Sequence, residues 1–195
     1  RRRGAPRAVI GDHLLHTMPG ADDDARDRLT EQGHAAMKAG DIPSKAEYIV
    51  NVSWPDLDPN DIDTWVQDPA GNLVWFRARE AGLMHLDRDD RGLTNDVIVI
   101  DGKQITNPLN QEVVTLRGIE PGEFTVNLNY YESKNGAPVE VTVSIIKVNP
   151  RAEVVFYGRT TLARKGDEAT AARFTVLPDG AVANVNTLPK ILVQR

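Results

Sequence analysis

The chain has 195 residues, 41% of them hydrophobic, with 23 Lys and Arg against 28 Asp and Glu for a formal charge of -5, and it has no cysteine. This suits one domain with an appendage and excludes collagen-like, low-complexity and wholly disordered chains. The acidic balance argues against a dedicated nucleic-acid binder, the absence of thiols excludes disulfides, thiolate zinc sites and thiol catalysis, and no apolar run is long enough to span a bilayer.

Two zones are expected, 1–45 and 46–195. The first opens with Arg1, Arg2, Arg3 and Arg7, followed only by the brief apolar stretch Ala8-Val9-Ile10, which does not make a signal peptide. Pro19-Gly20 marks a turn, and residues 21–40 read as one short helix. Asp22, Asp23 and Asp24 sit at the positive end of its dipole, Lys38 near the other end, and Gly40 closes it. Its apolar face (Ala25, Leu29, Ala36, Met37) is thin, so it must dock to persist.

From Tyr48 the period changes to two. Tyr48, Val50, Val52 and Trp54 fall on one face of a first strand, and Ile62 to Gln67 form a second. Asp68-Pro69-Ala70-Gly71-Asn72 is a tight turn into Leu73-Val74-Trp75-Phe76. Val97 to Ile100 leads into Asp101-Gly102, the strongest hairpin signal present. Further strands are expected at 111–116, 124–131, 139–148, 154–161 and 171–177, with turns at Pro121-Gly122, Asn135-Gly136 and Asp179-Gly180. Regularly spaced strands without crossover helices indicate a mainly β fold, an antiparallel sandwich of Ig-like or jelly-roll-like architecture.

Acidic residues concentrate in two segments, Asp56-Asp58-Asp61-Asp63 and Asp87-Asp89. Hard cations such as calcium take several carboxylate and carbonyl oxygens gathered by loops. Neither segment fits the EF-hand. In one, Asp61 stands where glycine is needed and Gln67 where the bidentate glutamate belongs; in the other, Arg91 and Ile98 occupy ligand positions. The two segments can instead meet at one end of a sandwich and share a cation. The plainer expectation is that these aspartates cap turns and solvate loops. His85, between Met84 and Leu86, reads as a hydrogen-bonded residue that fixes the adjoining loop. No nucleophile elbow, phosphate loop or dinucleotide fingerprint occurs, so no catalytic residue is assigned. Among the aromatics, Trp65 is the best candidate for an exposed ring able to stack on a sugar.

The run Asp61-Ile62-Asp63-Thr64-Trp65-Val66-Gln67-Asp68-Pro69-Ala70-Gly71-Asn72 resembles an uncharacterised group of bacterial and phage β-sandwich domains, with residues 82–92 and Pro121-Gly122-Glu123-Phe124-Thr125-Val126 fitting the same layout. The likeness covers about residues 46 to 160. It implies a non-enzymatic protein of virion or envelope context and carries over no catalytic residue. Some of the group place a membrane helix before the sandwich, whereas Thr17 to Ala39 here is polar. The resulting expectation is a structural or interaction protein, such as an accessory component of a phage virion, that docks on protein subunits through residues 1–45. The arginines Arg1, Arg2, Arg3 and Arg7 are its contact candidates. The alternative is an envelope-associated glycan-binding sandwich that uses Trp65 and a calcium ion held by Asp56, Asp58, Asp61, Asp63, Asp87 and Asp89; a carboxylate-based hydrolase stands more distant.

Overall fold

Strict alternation of β-branched and aromatic side chains organises Tyr48–Trp54 (β1), and the same period recurs along the chain. A computed structural model describes residues 46–94 and 97–193, all within the unit Asp41–Arg195. Asp61–Gln67 (β2), Leu73–Val74 (β3), Glu80–Ala81 (β4), Met84–Arg88 (β5), Val97–Ile100 (β6) and Lys103–Thr106 (β7) follow. Asn110–Leu116 (β8), Gly122–Glu132 (β9), Val139–Lys147 (β10), Glu153–Leu162 (β11), Glu168–Val176 (β12) and Val182–Asn186 (β13) complete the set. The expected helix over 21–40 and the arginines Arg1, Arg2, Arg3 and Arg7 lie outside the described residues. Within those residues there is no helix, and none is long and apolar enough to cross a membrane.

Every pairing is antiparallel. A six-stranded sheet has the order β11-β10-β1-β8-β5-β4 and a five-stranded sheet the order β13-β12-β9-β2-β3, while β6 and β7 form a separate two-stranded ribbon. The inward sets of the two large sheets make one core. Tyr48, Val50, Val52 and Trp54 of β1 join Val114 and Leu116 of β8, facing Ile62 and Val66 of β2 and Phe124, Val126, Leu128 and Tyr130 of β9. Phe124 and Phe174 stack at 5.4 Å, and the Tyr48 hydroxyl donates to the Gly180 carbonyl.

Strands beyond those expected are β4, β5, β7 and β13. Each is short, polar on one edge or exposed, so none carries a long apolar alternation. The Asp68 turn forms as its composition indicates. Its carboxylate accepts from Asn72 N (2.8 Å) and Asn72 Nδ2 (2.7 Å), an Asx arrangement that closes the loop.

Truncating Leu128 to alanine removes a side chain with no solvent exposure and should cost about 2–5 kcal/mol in urea unfolding. Ile100→Ala, in the half-exposed ribbon, should stay within about 0.5 kcal/mol of the parent.

Candidate metal centre

Strand β2 has β9 along one edge from Asp61 to Gln67, but β3 reaches its other edge only at Val66 and Gln67. Backbone groups between Asp61 and Trp65 on that second edge therefore need other partners. Glu112 supplies one from the opposite sheet: its Oε2 accepts from Thr64 N at 2.6 Å. Glu112 shares the inward face of β8 with Val114 and Leu116 and is 1% exposed.

The second oxygen of Glu112 turns to other carboxylates. Asp63, Asp89 and Glu112 each place an oxygen within 4.8 Å of the others. Asp61, on the same strand edge as Asp63, couples electrostatically to Asp89 and Asp90. Asp61 Oδ1, Asp63 Oδ2, Asp89 Oδ1 and Glu112 Oε1 are all buried without a hydrogen-bond partner. Among the described residues, no Lys or Arg forms an ion pair with any of these four. Asn110, two residues before Glu112 on the same strand face, adds another unpartnered buried oxygen, Oδ1.

The surrounding loops are fixed by conventional polar contacts. Asn110 Nδ2 donates to the carbonyls of Pro55 (2.6 Å) and Asp58 (2.9 Å), holding the segment before β2. Asp90 accepts from Arg88 Nη2 (2.8 Å), Gln111 N (3.2 Å) and Gly92 N (3.1 Å), which sets the chain just after Asp89. Gly92 is required there: its φ is +61° and a Cβ would lie 2.8 Å from the carbonyl oxygens of Pro59 and Asn60.

Concentrated negative charge out of water shifts the titration of these groups. Burial first, then Asp89 and Glu132, push Asp61 up to about 7, with Arg91 opposing. Burial and the charges of Asp61 and Asp89 push Asp63 up to about 8; the nearby Trp65 indole N–H acts in the other direction without reaching hydrogen-bonding geometry. Burial and Asp63 hold Glu112 well above the usual carboxylate range.

Of the aspartates singled out in the sequence, Asp63 and Asp89 come together with Glu112, Asp61 couples to them electrostatically, and the other three stand apart. Asp56 is exposed. Asp58 accepts from Asn60 N at 2.9 Å, a turn role. Asp87 takes His85 Nδ1 (2.7 Å), Thr115 Oγ1 (2.6 Å) and Arg117 Nη2 (3.2 Å). His85 also reaches Glu80 at 3.0 Å, so it ties β4 to β5. Glu112 was not among the candidates, although the alternation of Glu112, Val114 and Leu116 already places it in phase with core positions. Trp65 is only 8% exposed, with its ring 4.5 Å from that of Trp75.

An all-oxygen, carboxylate-rich set without nitrogen or sulfur donors suits a hard divalent cation. Asp61, Asp63 and Glu112 are each at 5% exposure or less, while Asp89 is half-buried. The chain matches no protein-family profile, no curated protein and no solved structure.

The raised groups predict how cation-free protein responds to pH. Unfolded carboxyls lose their protons near pH 4, whereas the folded chain retains them up to about 7 at Asp61 and about 8 at Asp63. The folded state thus binds more protons over that window, and its stability falls as pH rises from about 4 to about 8. Urea midpoints in chelator should decline across the window, and Asp63→Asn should flatten the decline. A midpoint that holds or rises contradicts the assignment.

Proposed function

We propose that this chain is a non-enzymatic interaction protein built on an Ig-like β-sandwich whose sheets are fastened by one buried calcium ion. The observation that carries the reading is the set of unpartnered carboxylate oxygens of Asp63, Asp89 and Glu112 within 4.8 Å of one another, with the unpartnered Asp61 coupled to Asp63 and Asp89; no Lys or Arg among the described residues forms an ion pair with any of the four. Leaving such charges buried and unpaired costs several kcal/mol per ion. A divalent cation reverses the sign of that term. Calcium suits the site better than magnesium, because it accepts irregular sets of six to eight oxygens while magnesium keeps an octahedral shell with several waters. The ligands come from both large sheets, Asp61 and Asp63 from one, Glu112 and the segment after β5 from the other. The ion would therefore act as a cross-link.

The role as an accessory component of a larger assembly, a virion or envelope structure docked through residues 1–45, is part of the same reading. It draws on the resemblance of the Asp61–Asn72 run.

A second reading, glycan binding, is favoured by one observation. Trp65, Trp75, Phe76 and Tyr131 form a chain of rings with successive centroids 4.5, 4.8 and 5.2 Å apart. It borders a groove of about 530 Å³ between Gln67, Leu73 and the segment Lys190–Val193. Tyr131, at 43% exposure, offers the most open ring. Loss of glycan-array signal in Tyr131→Ala and Trp75→Ala, with unchanged melting, would support this reading, and an array without signal for the parent would remove it.

The calcium reading is tested by melting in calcium against chelator. Binding at a hundredfold excess over Kd stabilises by about 2.7 kcal/mol, which for a domain of this size raises Tm by roughly 5–10 °C. Glu112→Gln and Asp63→Asn should lose the shift, and Asp56→Asn should retain it. Equal Tm with calcium and with chelator in the parent chain overturns the proposal.

A further inference from the structure

Successive residues of a strand point to opposite faces. In the five-stranded sheet Phe124, Val126 and Leu128 of β9 enter the core, so Thr125 and Asn127 project from the outer face, where water ordinarily reaches. Both nonetheless have no solvent exposure. Residues 187–193, which follow β13 and belong to no strand, lie across that face as a strap and cover them. Trp65, Asn127 and Thr170 stand side by side there, on β2, β9 and β12.

The sheet holds the strap mainly by its backbone. Thr170 Oγ1 accepts from Lys190 N at 2.9 Å and donates to Lys190 O at 3.1 Å, and Asn127 Nδ2 donates to the same carbonyl at 2.6 Å. Glu168 Oε1 accepts from the amides of Leu192 (2.7 Å) and Val193 (3.1 Å). Two side chains of the strap, two positions apart, are held as well. Leu192 is buried, and Lys190 Nζ donates to Thr125 Oγ1 (3.3 Å) and lies 3.9 Å from Glu123. Backbone bonds that give affinity, with alternate side chains that give selectivity, are the means by which domains bind extended peptides.

The fit is incomplete. Asn127 Oδ1 and Arg173 Nε stay buried on this face without a partner, a costly state for a polar atom. Grooves of about 460 and 530 Å³ flank the strap, the first beside Gly166 and Asp167, the second beside Trp65 and Leu73, and Ile191 and Val193 line both.

We propose that this outer face is a receptor for an extended segment of a partner protein, one with a basic residue two positions before an aliphatic one, and that residues 187–193 occupy it as an internal mimic. The mimic defines the ligand: its amides and carbonyl meet Glu168, Thr170 and Asn127, its lysine meets Glu123 and Thr125, and its leucine is buried. Glu123 and Glu168 along the path favour a basic segment, and the formal charge of -5 favours a different protein over a second copy. Strap and partner segment compete, so the apparent affinity scales with the fraction of chains whose strap is open. The proposal does not depend on a bound cation, and its test reads the same in calcium and in chelator.

Amide exchange and peptide binding test it. In the full chain the Leu192 and Val193 amides should exchange by local opening, about tenfold or more faster than the Val126 amide of the core. The binding probe is a labelled synthetic peptide with the sequence of residues 186–193, followed by fluorescence anisotropy up to about 1 mM, the weak end of specific affinities. Leu192→Ala and Lys190→Glu loosen the strap, and each should bind the peptide about tenfold or more tightly than the parent chain does. Adding Thr170→Val to the Leu192→Ala chain should weaken binding about five- to tenfold. A peptide that itself carries Lys190→Glu and Leu192→Ser should not bind. Strap amides that exchange only together with the core overturn the proposal, as do loosened variants that melt cooperatively yet bind no peptide, or that bind the altered peptide equally well. Dimerisation of the loosened variants without peptide, seen by sedimentation velocity, would give the face to a second copy and overturn it too.

Discussion

Glu112 spans the space between the two large sheets, and most of the polar architecture follows from that crossing. One carboxylate oxygen satisfies Thr64 N on the stretch of β2 that has no strand beside it, and the other joins Asp63 and Asp89. An open edge is ordinarily blunted by outward charges or covered by a loop. Here the opposite sheet covers it with a buried acid. The cost is an accumulation of negative charge in a place where water does not screen it, which raises the proton affinity of Asp61, Asp63 and Glu112 together. Around that cluster the neighbouring loops are heavily tied: Asn110 to Pro55 and Asp58, Asp90 to Arg88, Gln111 and Gly92. Rigid loops of this kind hold like charges at close range where a softer framework would let them separate.

How much of this was legible in the sequence depends on whether neighbours in space are neighbours in the chain. The long alternating strands were, because period two and a burial face are properties of a few consecutive residues; β1 and β10 are the clearest cases. So was the Asp101-Gly102 turn, whose positive φ values follow from its composition. Strand β5 escaped because Met84-His85-Leu86-Asp87 mixes ionisable and apolar residues, and its order comes from pairing with β8. Likewise β7 is polar and exposed, and exists as a strand through β6 alone. At the acid cluster the aspartates stood out by density, but density could not separate Asp61, Asp63 and Asp89 from Asp56, Asp58 and Asp87. That division is made by tertiary partners: Asp87, for example, is taken up by Thr115 and Arg117, some thirty positions along. Glu112 was hidden by its charge, which reads as a solvent-facing residue even where the alternation points inward.

The acid cluster and the β6–β7 ribbon show two opposite ways of leaving groups unsatisfied within one chain. In the first, polar oxygens are shielded from water and lack donors; in the second, apolar side chains are offered to water and lack cover. Each departs from local consistency, and such departures in a folded protein concentrate at sites with a function beyond folding.

The position of β1 has a consequence for synthesis. It is central in the six-stranded sheet, yet its two neighbours, β8 and β10, lie far downstream, and Tyr48 pairs with Leu116 on one side and Lys147 on the other. A nascent chain emerging from the ribosome therefore carries Tyr48, Val50, Val52 and Trp54 without any flanking strand until residue 116 has been made, and without the second until residue 147. Long-range pairing of this kind folds slowly, and the interval is one in which a chaperone that shields apolar β-segments has a defined stretch to hold.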